Sequence, residues 1–118
     1  MKEFMLLIRT EGDHLEALSP EDQLLHLQKI GNYISNLMKE GKLKDAQPLD
    51  MDVKIISGKR GSLKDGPYNE AKEVIVGYFH IIAKDMKEAI EIAEANPMFD
   101  LGVGRIEIRP IKKMDGIN

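Results

Sequence analysis

Residues 74–83 read Val74-Ile75-Val76-Gly77-Tyr78-Phe79-His80-Ile81-Ile82-Ala83. Ten positions pass without an acidic, Lys or Arg side chain, and β-branched and aromatic residues dominate, which fits an extended strand rather than a helix. Alternation sends Ile75, Gly77, Phe79 and Ile81 to one side and Val76, Tyr78, His80 and Ile82 to the other. Both sets are mostly apolar, so neither face of the sheet suits open water. Helices cover one face of such a sheet, and a second copy of the chain stacked on the other is the economical solution. The expectation is a homodimer.

The segments around this strand complete a pattern. Phe4–Ile8 is a short apolar run flanked by charge and reads as a strand buried on both faces or nearly so. After a polar loop over residues 10–18, Ser19 as N-cap, Pro20 at the first helical position, and Glu21 and Asp22 in the first turn open a helix. It is predicted to run to about Glu40 and stop at Gly41. Leu24, Leu27, Ile30, Ile34, Leu37 and Met38 recur at three and four residues as one buried stripe. Gly31 beside that stripe implies close approach to a neighbouring backbone, because glycine within a helix costs roughly 1 kcal/mol against alanine. Lys42–Leu49 reads as a short strand ended by Pro48. Val53–Ser57 and Ser62–Lys64 form a hairpin around Gly58-Lys59-Arg60-Gly61. Asp85 and Glu88 open a second helix that runs to about Ala95 before Asn96-Pro97. Val103–Pro110 is the last strand. The order is that of a ferredoxin-like βαββαβ unit with an inserted β-hairpin, an α+β fold. One domain spans residues 1–111, followed by a polar, loose C-terminal tail over residues 112–118.

Composition narrows the function classes. Of 118 residues, 42% are hydrophobic and 31% charged, the balance of a globular chain. The formal net charge of -3 comes without a basic stripe, which argues against nucleic acid as a partner. Cysteine is absent, which removes disulfides, thiolate zinc sites and cysteine nucleophiles and is compatible with a reducing cytoplasm. The apolar run near the N-terminus is far short of the about 20 residues of a membrane span, so no membrane partner and a cytoplasmic location are expected. His14, His26 and His80 fall in a loop, a helix and a strand without HxxxH or HxH spacing, so no metal is expected. No Gly-rich phosphate loop occurs, and no cofactor is expected.

One long motif is more specific. "DGPYNEAKEVIVGYFHI", residues 65–81, resembles the signature of the DGPF branch of the YCII-related proteins. "EAIEIAEANP" and "GRIEIRPI" resemble the family's second helix and closing strand, and "FMLLIR" with "LSPEDQLLHLQKIGNYISNLMKEGKL" its opening strand and helix. The resemblance implies a dimeric α+β barrel. It implies relatives among small enzymes acting on aromatic or unsaturated ring compounds, some with a His–Asp pair. His26 stands on the helix that carries the histidine, about one turn early when counted back from Gly41. The position of the aspartate is Asn96, whose amide cannot accept a proton as a carboxylate does.

Four groups of residues are candidates for chemistry, each with a plainer reading. His26 is either a general base near neutral pH or a half-buried helix residue bonded to backbone. Tyr78 and His80, on one sheet face, either bind and polarise a small carbonyl or phenolic ligand or pack a dimer core. Arg105, with Glu107 and Arg109, either clamps a carboxylate or forms an edge salt-bridge ladder. Asp65, Gly66 and Pro67 build a structural corner, with Asp65 or Tyr68 at a pocket mouth as the other reading. Two functions follow. One is a cofactor-free isomerase- or lyase-like enzyme acting on a small cyclic or enolisable compound in a pocket between sheet and helices, with His26 as base and Tyr78 and His80 orienting the substrate. The other is a non-catalytic module that binds a small ligand or regulates a partner.

Overall fold

The computed structural model describes residues 1–66 and 73–118. Its elements follow in the order β1 (Lys2–Thr10), α1 (Pro20–Lys39), β2 (Leu43–Pro48), β3 (Ile55–Lys59), β4 (Ser62–Gly66), β5 (Val74–Ala83), α2 (Met86–Glu94), a 3-10 turn (Pro97–Asp100) and β6 (Arg105–Pro110). The four long-range strands form one open antiparallel sheet in the order β2-β5-β1-β6. This interleaving is that of a ferredoxin-like unit, and β3 and β4 pair separately as the inserted hairpin. Asp65 and Gly66 close β4. Pro67, the rest of the expected corner, and Tyr68 lie outside the described residues.

Local chemistry sets the helix ends. Ser19 Oγ accepts from the Asp22 N–H at 3.1 Å. At the far end Gly41 takes φ +69°, and Lys42 N–H returns to the Leu37 carbonyl at 2.9 Å. Asp85 Oδ1 caps α2 through the Glu88 N–H at 2.9 Å, while Glu88 Oε1 accepts from the Lys84 N–H.

The core lies between one sheet face and the helices. Phe4, Leu6, Phe79, Ile81 and Ala83 project from the central strands onto Tyr33 and Leu37 of α1 and Ala89, Ile92 and Ala93 of α2. Fully burying a side chain such as Ile81 stabilises by roughly 2 kcal/mol. Tyr33 adds a specific tie: its hydroxyl donates to the Ile92 carbonyl, joining the two helices inside the core. The molecule measures 47 × 43 × 18 Å, a thickness of one sheet and one helix layer. The opposite sheet face, carrying Glu3, Met5, Leu7, Tyr78, His80 and Ile82, is only half-buried.

Four expectations change. The buried stripe of α1 runs through His26, Ile30, Tyr33 and Leu37, whereas Leu24, Leu27 and Met38 are 55–63% exposed. The periodicity was shared by two neighbouring stripes, and the amphipathic His26 and Tyr33 mark the inner one. Among the described residues Gly31 has no atom within 4 Å of the position a Cβ would take, so no backbone among them approaches it. Val76 is a bulge: Ile8 pairs with Gly77, but Arg9 pairs with Ile75. The extra residue flips Ile75 to the open face beside Arg9. Finally, the tail is pinned rather than loose. Ile111 N–H bonds to the Glu3 carbonyl, Lys113 pairs with the Glu3 carboxylate, and the Asn118 side chain closes a turn with Met114 and Lys112.

Candidate functional site

A cavity of about 250 Å³ opens between α1, the sheet and the 3-10 turn. Its floor is Gly77 and Phe79 of β5 with Ile8 of β1, and its walls include Ile30 and Ile34 of α1 and Met98 of the 3-10 turn. Gly77 matters because β2 crosses close by. A Cβ there would meet the Gln47 carbonyl oxygen at 3.1 Å. Polar side chains on the lining are few: His14, His26, Gln47 and Asn96, each from a separate segment.

The loop between β1 and α1 delivers His14. Thr10, buried at the end of β1, donates its hydroxyl to the Gly12 carbonyl at 2.6 Å. Asp13 Oδ1 accepts from the Leu15 N–H at 2.9 Å, an Asx turn. Gln23 of α1 then donates to the Leu15 and Leu18 carbonyls at 3.0 and 3.1 Å, tying the loop to the helix. Held this way, the His14 ring meets the His26 ring edge to face, with centroids 6.0 Å apart. His14 Nδ1 is buried and has no hydrogen-bond partner among the described residues.

His26 is 5% exposed. Burial lowers its pKa from the ordinary 6.5, and the neighbouring His14 and Lys29 push the same way against a smaller opposing pull from Asp100. Lys29 and Asp100 pair at 3.5 Å, linking α1 to the 3-10 turn near the same histidine. These effects favour the neutral imidazole, the form that accepts a proton. Asn96 is buried and caps the 3-10 turn, its Oδ1 accepting from the Met98 N–H at 2.9 Å. Since the backbone N–H requires an acceptor, this bond fixes which way the amide faces. His26 and Asn96 thus line one cavity, whatever the count back from Gly41. Asn96 is already engaged as a cap.

The remaining candidates lie elsewhere. Tyr78 and His80 project from the other side of β5, so the sheet separates them from His26 and the three do not converge. Tyr78 donates its hydroxyl to Asp45 Oδ2 at 2.7 Å, which raises the pKa of the phenol. His80 Nε2 is 2.8 Å from Glu3 Oε1. Glu3 also binds Lys44 at 3.0 Å and Lys113, and these partners hold its carboxyl down to about 2. Arg105 pairs with Glu73 at 2.8 Å on an exposed edge. Arg9 binds Glu107 at 3.1 Å, with Arg109 at 3.8 Å from the same carboxylate. Sequence reasoning missed His14 as a site residue. Its loop has no periodicity, and the only available signal was a histidine two residues after glycine at the end of an apolar strand. Among the described residues no group of three His, Cys, Asp or Glu side chains is arranged to hold a metal ion, and no helix is long and apolar enough to cross a membrane.

No curated protein matches the sequence significantly. Among solved structures, the chain is similar to a 5-chloro-2-hydroxyhydroquinone dehydrochlorinase from Burkholderia phenoliruptrix AC1100, determined as a complex with 2,5-dihydroxybenzoquinone. The likeness covers 95% of each chain at 12% identity with a TM-score of 0.57, which supports the fold. The family model for the YCII-related domain matches residues 2–115, nearly the whole sequence. The chain belongs to the YCII-related family.

Proposed function

We propose that this chain, of the DGPF branch of its family, is a cytoplasmic homodimer and a cofactor-free isomerase- or lyase-like enzyme acting on a small cyclic or enolisable compound. The observation that carries the reading is the buried His26 on a small apolar cavity. About 250 Å³ suits a single substituted ring and leaves no room for a nucleotide beside it. His26 takes a proton from a ring hydroxyl or an acidic C–H. The electron pair enters the conjugated ring and either expels an anionic leaving group or picks up the proton at another carbon. The first outcome is elimination, the second isomerisation, and neither changes the net redox state. A fold shared with a dehydrochlorinase of a hydroxylated ring compound supports the lyase form.

Asn96 favours a second reading. With an amide engaged as a helix cap where a dyad would need a carboxylate, the cavity serves equally as a ligand-binding site without turnover. The homodimer is supported by the half-buried Met5, Leu7, Tyr78 and Ile82 on the open sheet face, rimmed by the ion pairs of Glu3 and Glu107.

A thermal-shift screen with phenols, small aromatic acids and lactones tests the site. A ligand at 100 times its Kd stabilises by about 2.7 kcal/mol, some 10 °C for a domain of this size. On a compound that is turned over, His26→Ala abolishes activity; full activity in that variant would refute His26 as the base. Binding without turnover of any hit would leave the binding-module reading standing. Sedimentation at micromolar concentration addresses the dimer, and a monomer would contradict it.

A further inference from the structure

We propose that the cavity admits its ligand only in uncharged form and holds it through apolar substituents, so that alkylated phenols and phenolic esters enter while aromatic acids are turned away. The inference rests on the reading of the cavity as a ring-compound site and adds the charge state and the bulk of what enters it.

The lining decides the charge. Among the described residues, no Asp, Glu, Lys or Arg side chain borders the cavity, and the nearby Lys29 is paired with Asp100 at 3.5 Å. The four polar side chains are engaged or enclosed. Asn96 caps the 3-10 turn through its Oδ1, and Gln47 donates its amide to Asp45 at 3.4 Å. His14 Nδ1 has no appreciable accessible surface, and His26 is 5% exposed. What faces the cavity is hydrocarbon from Ile8, Ile30, Ile34, Phe79 and Met98. A carboxylate brought there would lose its hydration and gain no cation. Protonation of His26 does not supply one, because burial, His14 and Lys29 all disfavour its charged form. The mouth has the same character: Leu27 lines the cavity and is 55% exposed, so an apolar side chain stands where the cavity meets solvent. Within the proposed chemistry this gives His26 its work. A phenol that arrives un-ionised still holds the proton a base must remove, whereas a phenolate has already lost it.

Methyl 4-hydroxybenzoate and 4-hydroxybenzoate share a hydroxylated ring and differ in charge. By calorimetric titration of the wild-type protein at neutral pH, the ester should bind at least about 100-fold more tightly than the acid anion. Along phenol, 4-methylphenol and 4-ethylphenol, affinity should rise about fourfold per added carbon. Ala46, which lines the cavity from β2, locates the binding. Ala46→Leu fills part of the volume and should weaken the ester at least about tenfold, with the fold retained by circular dichroism. Should that variant fail to fold, Ile34→Phe on α1 takes its place. An acid bound within about threefold of the ester, or a flat alkylphenol series, overturns the inference while leaving the cavity a ring-compound site. Ester affinity unchanged by cavity filling overturns it too, by placing the selectivity elsewhere on the chain. If none of these compounds binds the wild type, the ring-compound reading and this inference fall together.

Discussion

Gly104 stands where the wall of the cavity meets the start of β6, and replacing it with alanine should be among the most damaging single-methyl additions in the chain. Its φ is +76°, in the left-handed region that costs an L-residue about 1–2 kcal/mol. A Cβ there would also lie 2.5 Å from the Arg9 carbonyl oxygen, 2.9 Å from Met98 Cε and 2.9 Å from Thr10 Cγ2. Met98 ends in a flexible methyl and can give way, at the expense of the cavity it lines. The Arg9 carbonyl belongs to β1, and Thr10 is 1% exposed with its hydroxyl tied to Gly12, so neither moves cheaply. Overpacking of this kind costs about 1–3 kcal/mol, and the lower entropy of the unfolded alanine chain returns about 0.4–1. The net loss is about 2–4 kcal/mol. With an unfolding entropy of about 2.1 cal/mol/K per residue, 118 residues convert that loss to a Tm drop of about 8–16 °C. Gly102→Ala is the control. It has φ +66° but, among the described residues, nothing within 4 Å of the Cβ position, so it should lose no more than about 6 °C. Thermal unfolding of both variants at one protein concentration reads the difference. A Gly104→Ala protein within 2 °C of Gly102→Ala would refute the steric part of the reasoning.

Two further changes probe the core and the open face. Tyr33→Phe leaves the Ile92 carbonyl without its hydroxyl partner inside the core, and urea unfolding should show a loss of about 1–3 kcal/mol; an unchanged midpoint would mean that water replaces the bond. Glu3 is the acid-sensitive group of the open face: its folded pKa of about 2 lies below the ordinary 4.5 because Lys113, Lys44 and His80 bond the carboxylate. A depressed carboxyl stabilises the fold above pH 4.5, and that contribution disappears as pH falls toward 2. Melting curves of wild type and Glu3→Gln should therefore converge between pH 4.5 and 2, and parallel curves across that window would remove Glu3 from the account.

What could be read from sequence depended on whether the deciding interaction was local. β5 has the limits its composition implies, Val74–Ala83, and the ends of α1 follow from Ser19, Pro20 and Gly41, because capping and β-propensity act within a few residues. The bulge at Val76 was invisible, since it exists only in the register between β5 and β1, and it alone moved Ile75 to the other face. The α1 stripe was misplaced for a different reason. Leucines at 24 and 27 and the methionine at 38 carry the hydrophobic signal, yet the helix turns His26 and Tyr33 inward, where an amphipathic ring satisfies both packing and a polar tip. The candidate site was half legible. The family resemblance picked out His26 and Asn96, with the titration range of histidine suggesting its role, but His14 belongs to a loop whose course is set by Gln23 and Thr10.

The same strand explains why two histidines of one chain have different work. Gly77 and Phe79 face the helix side and line the cavity together with His26, and the lack of a side chain at Gly77 leaves room for the β2 backbone at Gln47. Tyr78 and His80, one residue away on the strand, face the other side and meet Asp45 and Glu3. Alternation therefore places a neutral, apolar-lined environment and a charged network back to back, separated by one layer of backbone. An imidazole on the first side is pushed toward its neutral form by desolvation, and a carboxylate on the second is held ionised by three partners. The proposed proton-transfer chemistry would use the first environment, and the proposed contact with a second copy of the chain the other. A substitution in the Glu3 network should consequently leave ligand binding at His26 intact, because the two sets share a strand but no side-chain contact.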